Sequence, residues 1–181
     1  VRPAAEYTVR ALNMMAKDKG IELVFAADDP IPLVMMNRES VERAIINLIS
    51  NAIKYTPNGG QVEVSTRYLN ESKEVRVAIK DNGIGIPEEC LENVFDRFYR
   101  VEKKVHTIKG TGLGLTIVKN ITEKHGGRVA AESEIGMGST FMFFLPALDM
   151  LSETRGKPQE AEPVETAELH SKGRSAIELN I

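Results

Sequence analysis

The 181-residue chain is 42% hydrophobic with a formal net charge of −3, which suits one core domain with residues to spare and lacks the basic footprint of a nucleic-acid binder. Its single cysteine, Cys90, excludes an intramolecular disulfide and fits a reducing, cytoplasmic compartment. No apolar run approaches the roughly 20 residues that span a bilayer, no secretory leader opens the chain, and a start at Val1 without methionine reads as a fragment of something larger.

Ala5, Val9, Leu12, Met15 and Ala16 predict a helix over residues 3–18, stopped by Lys17-Asp18-Lys19-Gly20. Residues 21–26 read as a strand and 33–36 as a second one after an Asp-Asp-Pro turn. Over residues 39–55, Val41, Ala44, Ile45, Leu48, Ile49 and Ala52 recur at i, i+3, i+4, i+7, i+8 and i+11, an amphipathic helix. Asn47, Asn51 and Lys54 or Tyr55 follow one another a turn apart on an adjacent face. Amide oxygens in such a row suit a hard cation that already carries phosphates and waters. Thr56-Pro57-Asn58-Gly59-Gly60 ends the helix.

Residues 61–68 and 74–80 read as strands joined by a polar turn. In the second, Val75, Val77 and Ile79 share a face, and the period of two puts Asp81 on it as well. A carboxylate continuing a buried row must find a donor. In Asp81-Asn82-Gly83-Ile84-Gly85-Ile86-Pro87 the glycines permit positive φ and a close backbone approach to a flat ligand, while Asp81 can accept from an exocyclic amine such as that of adenine. Asp-Asn-Gly alone is first a turn signal; its place after an apolar strand favours the binding reading. Phe95 and Phe98 are ring anchors at i and i+3, and Arg100 stands where a guanidinium can reach a terminal phosphate or simply be solvated. After a polar loop over residues 102–111, Gly110-Thr111-Gly112-Leu113-Gly114-Leu115 opens a helix over 112–125, so that backbone amides and the helix dipole form an anion cradle. Its spacing is neither that of a Walker loop nor that of a Rossmann turn, and a flexible hinge is the competing reading. Gly126-Gly127 stops the helix, and strands over 128–132 and 140–145 close the domain. The order of elements predicts an α/β two-layer sandwich, a mixed and mostly antiparallel sheet covered on one face by helices. Residues 148–181, poor in patterned apolar residues, read as a disordered tail, with Ala176-Ile177-Glu178-Leu179 the rival docking segment.

The ordered motifs Asn47-x-x-x-Asn51-Ala52-x-Lys54-Tyr55, Asp81-x-Gly83-x-Gly85-Ile86-Pro87, Phe95-x-x-Phe98-Tyr99-Arg100 and Gly110-Thr111-Gly112-Leu113-Gly114-Leu115 resemble the catalytic, ATP-binding domain of bacterial sensor histidine kinases, of the GHKL superfamily, over residues 20–147. The resemblance implies a histidine kinase ATPase-type fold and a site for ATP and Mg2+. Asn51 becomes the magnesium ligand, with Asn47 beside it and Lys54 and Arg100 toward the phosphates. Tyr55 lines the adenine and ribose, Asp81 holds the adenine amine, and Gly83, Gly85 and Ile86 form the turn beside the purine. Residues 102–111 become a lid; Gly110, Thr111, Gly112, Leu113, Gly114 and Leu115 become its phosphate-binding hinge, and Thr140 an indirect contact to the base. Residues 1–19 then correspond to the end of a dimerisation hairpin helix or to a linker.

In the water-splitting ATPases of the same superfamily a glutamate stands four residues before the magnesium asparagine. Here Asn47 stands there, an amide that cannot act as a general base near neutrality. That favours a kinase over a hydrolase. None of His106, His125 or His170 lies in a phosphoacceptor context; they read as lid, helix end and tail. The implied partners are a dimerisation and phosphoacceptor domain and a response regulator, without nucleic acid or membrane contact by this fragment. The fragment is expected to be monomeric within a homodimeric parent. A nucleotide-gated interaction module without catalysis is the alternative.

Overall fold

Helix α2 (Arg38–Tyr55) turns Val41, Ala44, Ile45, Leu48, Ile49, Ala52 and Ile53 inward, and starts where the Asn37 side chain accepts from the Ser40 N–H at 2.8 Å. Burying each large aliphatic on that stripe contributes about 1.5–3 kcal/mol. Its neighbours complete a layer: α1 (Arg2–Asp18) and α4 (Gly114–Lys124), with the short α3 (Glu88–Leu91) apart from them. The computed structural model describes residues 1–101 and 111–148. The expectations for the loop up to Gly110, for His106 and His170, and for the tail from residue 149 on lie outside the described residues.

Five strands form the second layer: β1 (Glu22–Ala27), β2 (Gln61–Leu69), β3 (Glu74–Asp81), β4 (Arg128–Glu134) and β5 (Gly138–Pro146). Their order is β1-β2-β3-β5-β4; only β1 and β2 run parallel, and α2 supplies the crossover that a parallel pair needs. The sheet is thus mixed and mostly antiparallel, as the sequence predicts. Val62, Val64, Val77, Ile79, Phe141, Phe143 and Leu145 face the helices and make one core with them. On the other face Ala78, Met142 and Phe144 form a small cluster. There the Arg128 guanidinium lies 3.7 Å from the Phe144 ring centre and is held by Glu74 at 2.8 Å.

Two expectations are corrected. Residues 33–36 are not a strand: Leu33 and Met35 are exposed, Val34 and Met36 pack inward, and the Leu33 carbonyl accepts from the Leu148 N–H at 2.8 Å. The alternation is real, with Val34 and Met36 turned inward, but the segment is not part of the five-stranded sheet. Helix α1, in the stretch expected to be a hairpin end or linker, buries Ala4, Ala5, Thr8 and Ala16 and lies in one compact unit with residues up to Leu148. Of the two rings, Phe95 packs edge-on against Phe141 at 6.1 Å between centres, whereas Phe98 is 70% exposed with φ +63°.

The ends of the helices are tied down by residues from distant parts of the chain. Lys19 donates from Nζ to the carbonyls of Ile53 and Thr56, each at 2.7 Å, and so caps the C-terminus of α2. His125 ends α4 as expected; its Nδ1 meets the Ile121 carbonyl at 2.7 Å and its Nε2 accepts from the Asn37 N–H at 3.0 Å.

Candidate nucleotide-binding site

A cavity of about 310 Å³ opens between α2, the end of the sheet and the start of α4. Asn47, Asn51, Lys54 and Tyr55 all line it, on the helical spacing read from the sequence. Among the described residues, Asn47 Nδ2 is buried without a hydrogen-bond partner. A buried donor left unpaired costs about 1–3 kcal/mol, so its retention beside a cavity marks a place for an acceptor. Lys54 Nζ lies 4.9 Å from the Tyr55 ring centre, a cation held at the rim.

The opposite wall is one cross-strand row. Register places Val62, Asp81, Ser139 and Ser133 side by side on β2, β3, β5 and β4, on the helix-facing side. Asp81 is 5% exposed, and its Oδ1 accepts from the Gly83 N–H at 2.9 Å and the Ser139 N–H at 3.3 Å. Burial pushes its carboxyl above the ordinary range, and the two backbone donors oppose that rise.

The glycines of this turn serve the protein's own packing. A side chain on Gly83 would meet the Tyr55 carbonyl at 2.6 Å and Asp81 Oδ1 at 2.7 Å; on Gly85, at φ +69°, it would collide with the Glu134 carbonyl. Gly83 itself is not in the cavity lining, whereas Gly85 and Ile86 are. Asn82 Oδ1 accepts from the Gln61 N–H at 2.8 Å, and the Gly136 N–H donates to the Ile84 carbonyl at 2.9 Å, which fixes the turn from both sides.

At the third wall Arg100, Thr111, Gly112, Gly114 and Leu115 line the cavity, while Leu113 caps α4 just behind it. A side chain on Gly114 would stand 3.7 Å from Asn51 Nδ2 and 3.9 Å from Asn47 Oδ1, so the glycine loop faces the amide row directly. Thr140 is not brought to the site. It pairs with Lys80 and Glu132 on the helix-free face, and the lining residue is its neighbour Ser139. The choice of Thr140 was one residue out of register, which in a strand reverses the face. Ser139, Ser133 and Lys19 were missed; the period of two starting from the buried Phe141 and Phe143 was the available signal for Ser139.

A mixed sheet with helices on one face, and an amide-lined cavity at its end, define an ATPase-type nucleotide-binding domain. Residues 36–149 match the family described as histidine kinase-, DNA gyrase B-, and HSP90-like ATPase, and the chain belongs to it. It is 42% identical over 148 residues to drug sensory protein A of a Synechocystis species, covering 77% of this chain and 22% of that protein. It is 41% identical over 133 residues to the sensor histidine kinase WalK of Bacillus subtilis, covering 73% and 22%. The chain therefore spans about a fifth of the length of these relatives. The catalytic domain of the histidine kinase ThkA superposes with a TM-score of 0.69 at 28% identity over 81% of this chain and 92% of that one. ThkA has also been solved with the response regulator TrrA (TM-score 0.67, 25% identity, 82% and 40% covered). Full-length ShkA with AMPPNP gives a TM-score of 0.71 at 26% identity over 80% and 29%. The chain is a histidine kinase-type catalytic ATPase domain of the kind found in sensor kinases.

Proposed function

We propose that the cavity takes an adenine nucleoside triphosphate with Mg2+, and that the domain passes the γ-phosphoryl to a histidine on a partner helix pair as a step in two-component signalling. One observation carries this reading: a buried carboxylate with one oxygen committed to two backbone amides stands across the cavity from a row of amides, one with an unpaired donor. Asp81 accepts the amine of the base, Tyr55 and Ile86 flank it, and Lys54, Arg100, Thr111 and the amides of the 112–115 turn receive the phosphates.

The donor set fits magnesium. Among the described residues no three His, Cys, Asp or Glu side chains cluster as a ligand set, so the amide oxygens of Asn51, with Asn47 beside it, and the phosphates themselves are the ligands available. Bound there, the ion would neutralise phosphate charge. The chain's own contribution is positioning and screening, as in other phosphoryl transfers. Asn47 offers no base to activate water, so the phosphoryl is kept for the histidine, whose nitrogen bonds to phosphorus as the bond to the ADP oxygen breaks.

AMPPNP bound to ShkA supports the ligand, and the ThkA complex with TrrA supports a response regulator downstream. Among the described residues no helix is long and apolar enough to cross a membrane. We place the domain in the cytoplasm, where its nucleotide is, as part of a homodimeric parent. Titration with ATP, with and without magnesium, followed by addition of a phosphoacceptor helix pair in trans, tests the proposal. It requires magnesium-dependent binding and phosphohistidine on the added helices. Binding without transfer would leave a nucleotide-gated interaction module, and no binding would remove the reading.

A further inference from the structure

Three groups converge on the hydroxyl of Ser133, on the edge strand β4. The Ile86 N–H donates to Oγ at 2.8 Å, Oγ donates to the Gly138 carbonyl at 2.8 Å, and Oγ lies 2.9 Å from Ser139 Oγ. A hydroxyl has one proton and two lone pairs. With the proton on the Gly138 carbonyl and one lone pair taken by Ile86, the last contact is complete only when Ser139 donates to Ser133. The reverse assignment sets the Gly138 carbonyl and Ser133 Oγ against each other with no proton between them. The hydroxyl of Ser139 is therefore spent on Ser133, and Ser139 shows the cavity lone pairs alone.

Next to it in the same row stands Asp81, an acceptor when ionised, and both residues line the cavity. Two neighbouring acceptors match the two N–H groups of an exocyclic amine and oppose a ring carbonyl at the same place. We propose that Ser133 is a positioning residue that fixes Ser139 as an acceptor, and through it selects 6-amino over 6-oxo purines at the base end of the site. The inference rests on the adenine reading above and adds to it the residue that sets the polarity of the pocket.

The test measures dissociation constants of ATP and inosine triphosphate on the full chain. Wild type is expected to prefer ATP. In Ser133→Ala the Ser139 proton is released to donate into the cavity, so inosine triphosphate gains and the ratio narrows by about tenfold, the worth of one hydrogen bond made rather than opposed. Ser133→Thr keeps the hydroxyl and the wild-type ratio. Ser139→Ala narrows the ratio from the ATP side, and adding Ser133→Ala to it changes the ratio no further, because Ser133 acts through Ser139.

A merely structural Ser133 would weaken both nucleotides equally in Ser133→Ala, and an unchanged ratio overturns the proposal. Should that variant fold poorly, Ser139→Ala alone decides: a wild-type ratio there overturns it too. Wild type that binds neither nucleotide removes the adenine reading and this inference with it, whereas wild type that binds ATP and inosine triphosphate equally overturns the inference and leaves a purine site standing.

Discussion

Replacing Asp81 by Asn separates recognition from stability. The amide oxygen keeps the two backbone donors, Gly83 at 2.9 Å and Ser139 at 3.3 Å, so the turn has no reason to open. Toward the cavity an acceptor becomes a donor. A hydrogen bond to a charged acceptor, about 1.5–3 kcal/mol, is lost, and two donors are left facing each other, for a total of about 2–4 kcal/mol. ATP affinity should fall by roughly 30- to 1000-fold.

Stability should move the other way. Burial raises the Asp81 carboxyl above its ordinary value, so the folded state binds that proton more tightly than the unfolded chain does. The ionised group then subtracts from stability above its folded pKa, and stability returns as pH falls through that value. Asn carries no charge, so at pH 7 the variant should melt at or above the wild-type temperature and lose this component of the acid-side pH dependence. Calorimetric ATP titration and thermal unfolding on the same samples read both effects. A folded variant that binds ATP within threefold of wild type would refute the role of the carboxylate. A melting temperature several degrees lower at pH 7 would refute the balance between burial and its hydrogen bonds.

Thr140→Ala should leave ATP affinity unchanged and stability within about 0.5 kcal/mol, since the side chain stands on the helix-free face; calorimetry and urea unfolding check this. Gly85→Ala should cost about 1–3 kcal/mol, because position 85 sits at φ +69° and a side chain there meets the Glu134 backbone; a melting temperature within a degree of wild type counts against it. Asn47→Glu should raise ATP hydrolysis at least about tenfold by supplying the base the site lacks, read as phosphate release. Lys19→Ala should destabilise the domain by about 1–2 kcal/mol in urea by uncovering the carbonyls of Ile53 and Thr56.

The elements with strong periodicity were legible because burial alone defines them: α2, β3 and the outer strands fall within a few residues of expectation. So was the amide row, since helical spacing fixes which side chains share a face. What the sequence hid depends on partners far along the chain. Nothing near Leu33 says that its alternation stays outside the sheet, nothing in Lys17-Asp18-Lys19-Gly20 says that Lys19 caps a helix whose C-cap, Thr56, lies 37 residues later, and nothing marks Ser133 until the β4–β5 register sets it beside Ser139. Gly83 and Gly85 were expected to admit a ligand. They are required first by the backbones of Tyr55 and Glu134, which no local pattern announces.

The cap that Lys19 places on α2 bears on how the domain can be subdivided. The stretch that matches the ATPase family begins at residue 36, which invites trimming the chain to that point. Such a trimmed protein would forfeit the alanine-lined packing of α1 and the edge strand β1, and would strip the ammonium from the very turn that carries Lys54 and Tyr55. The stretch that carries the family signature, residues 36–149, is shorter than the unit that packs together, residues 1–148.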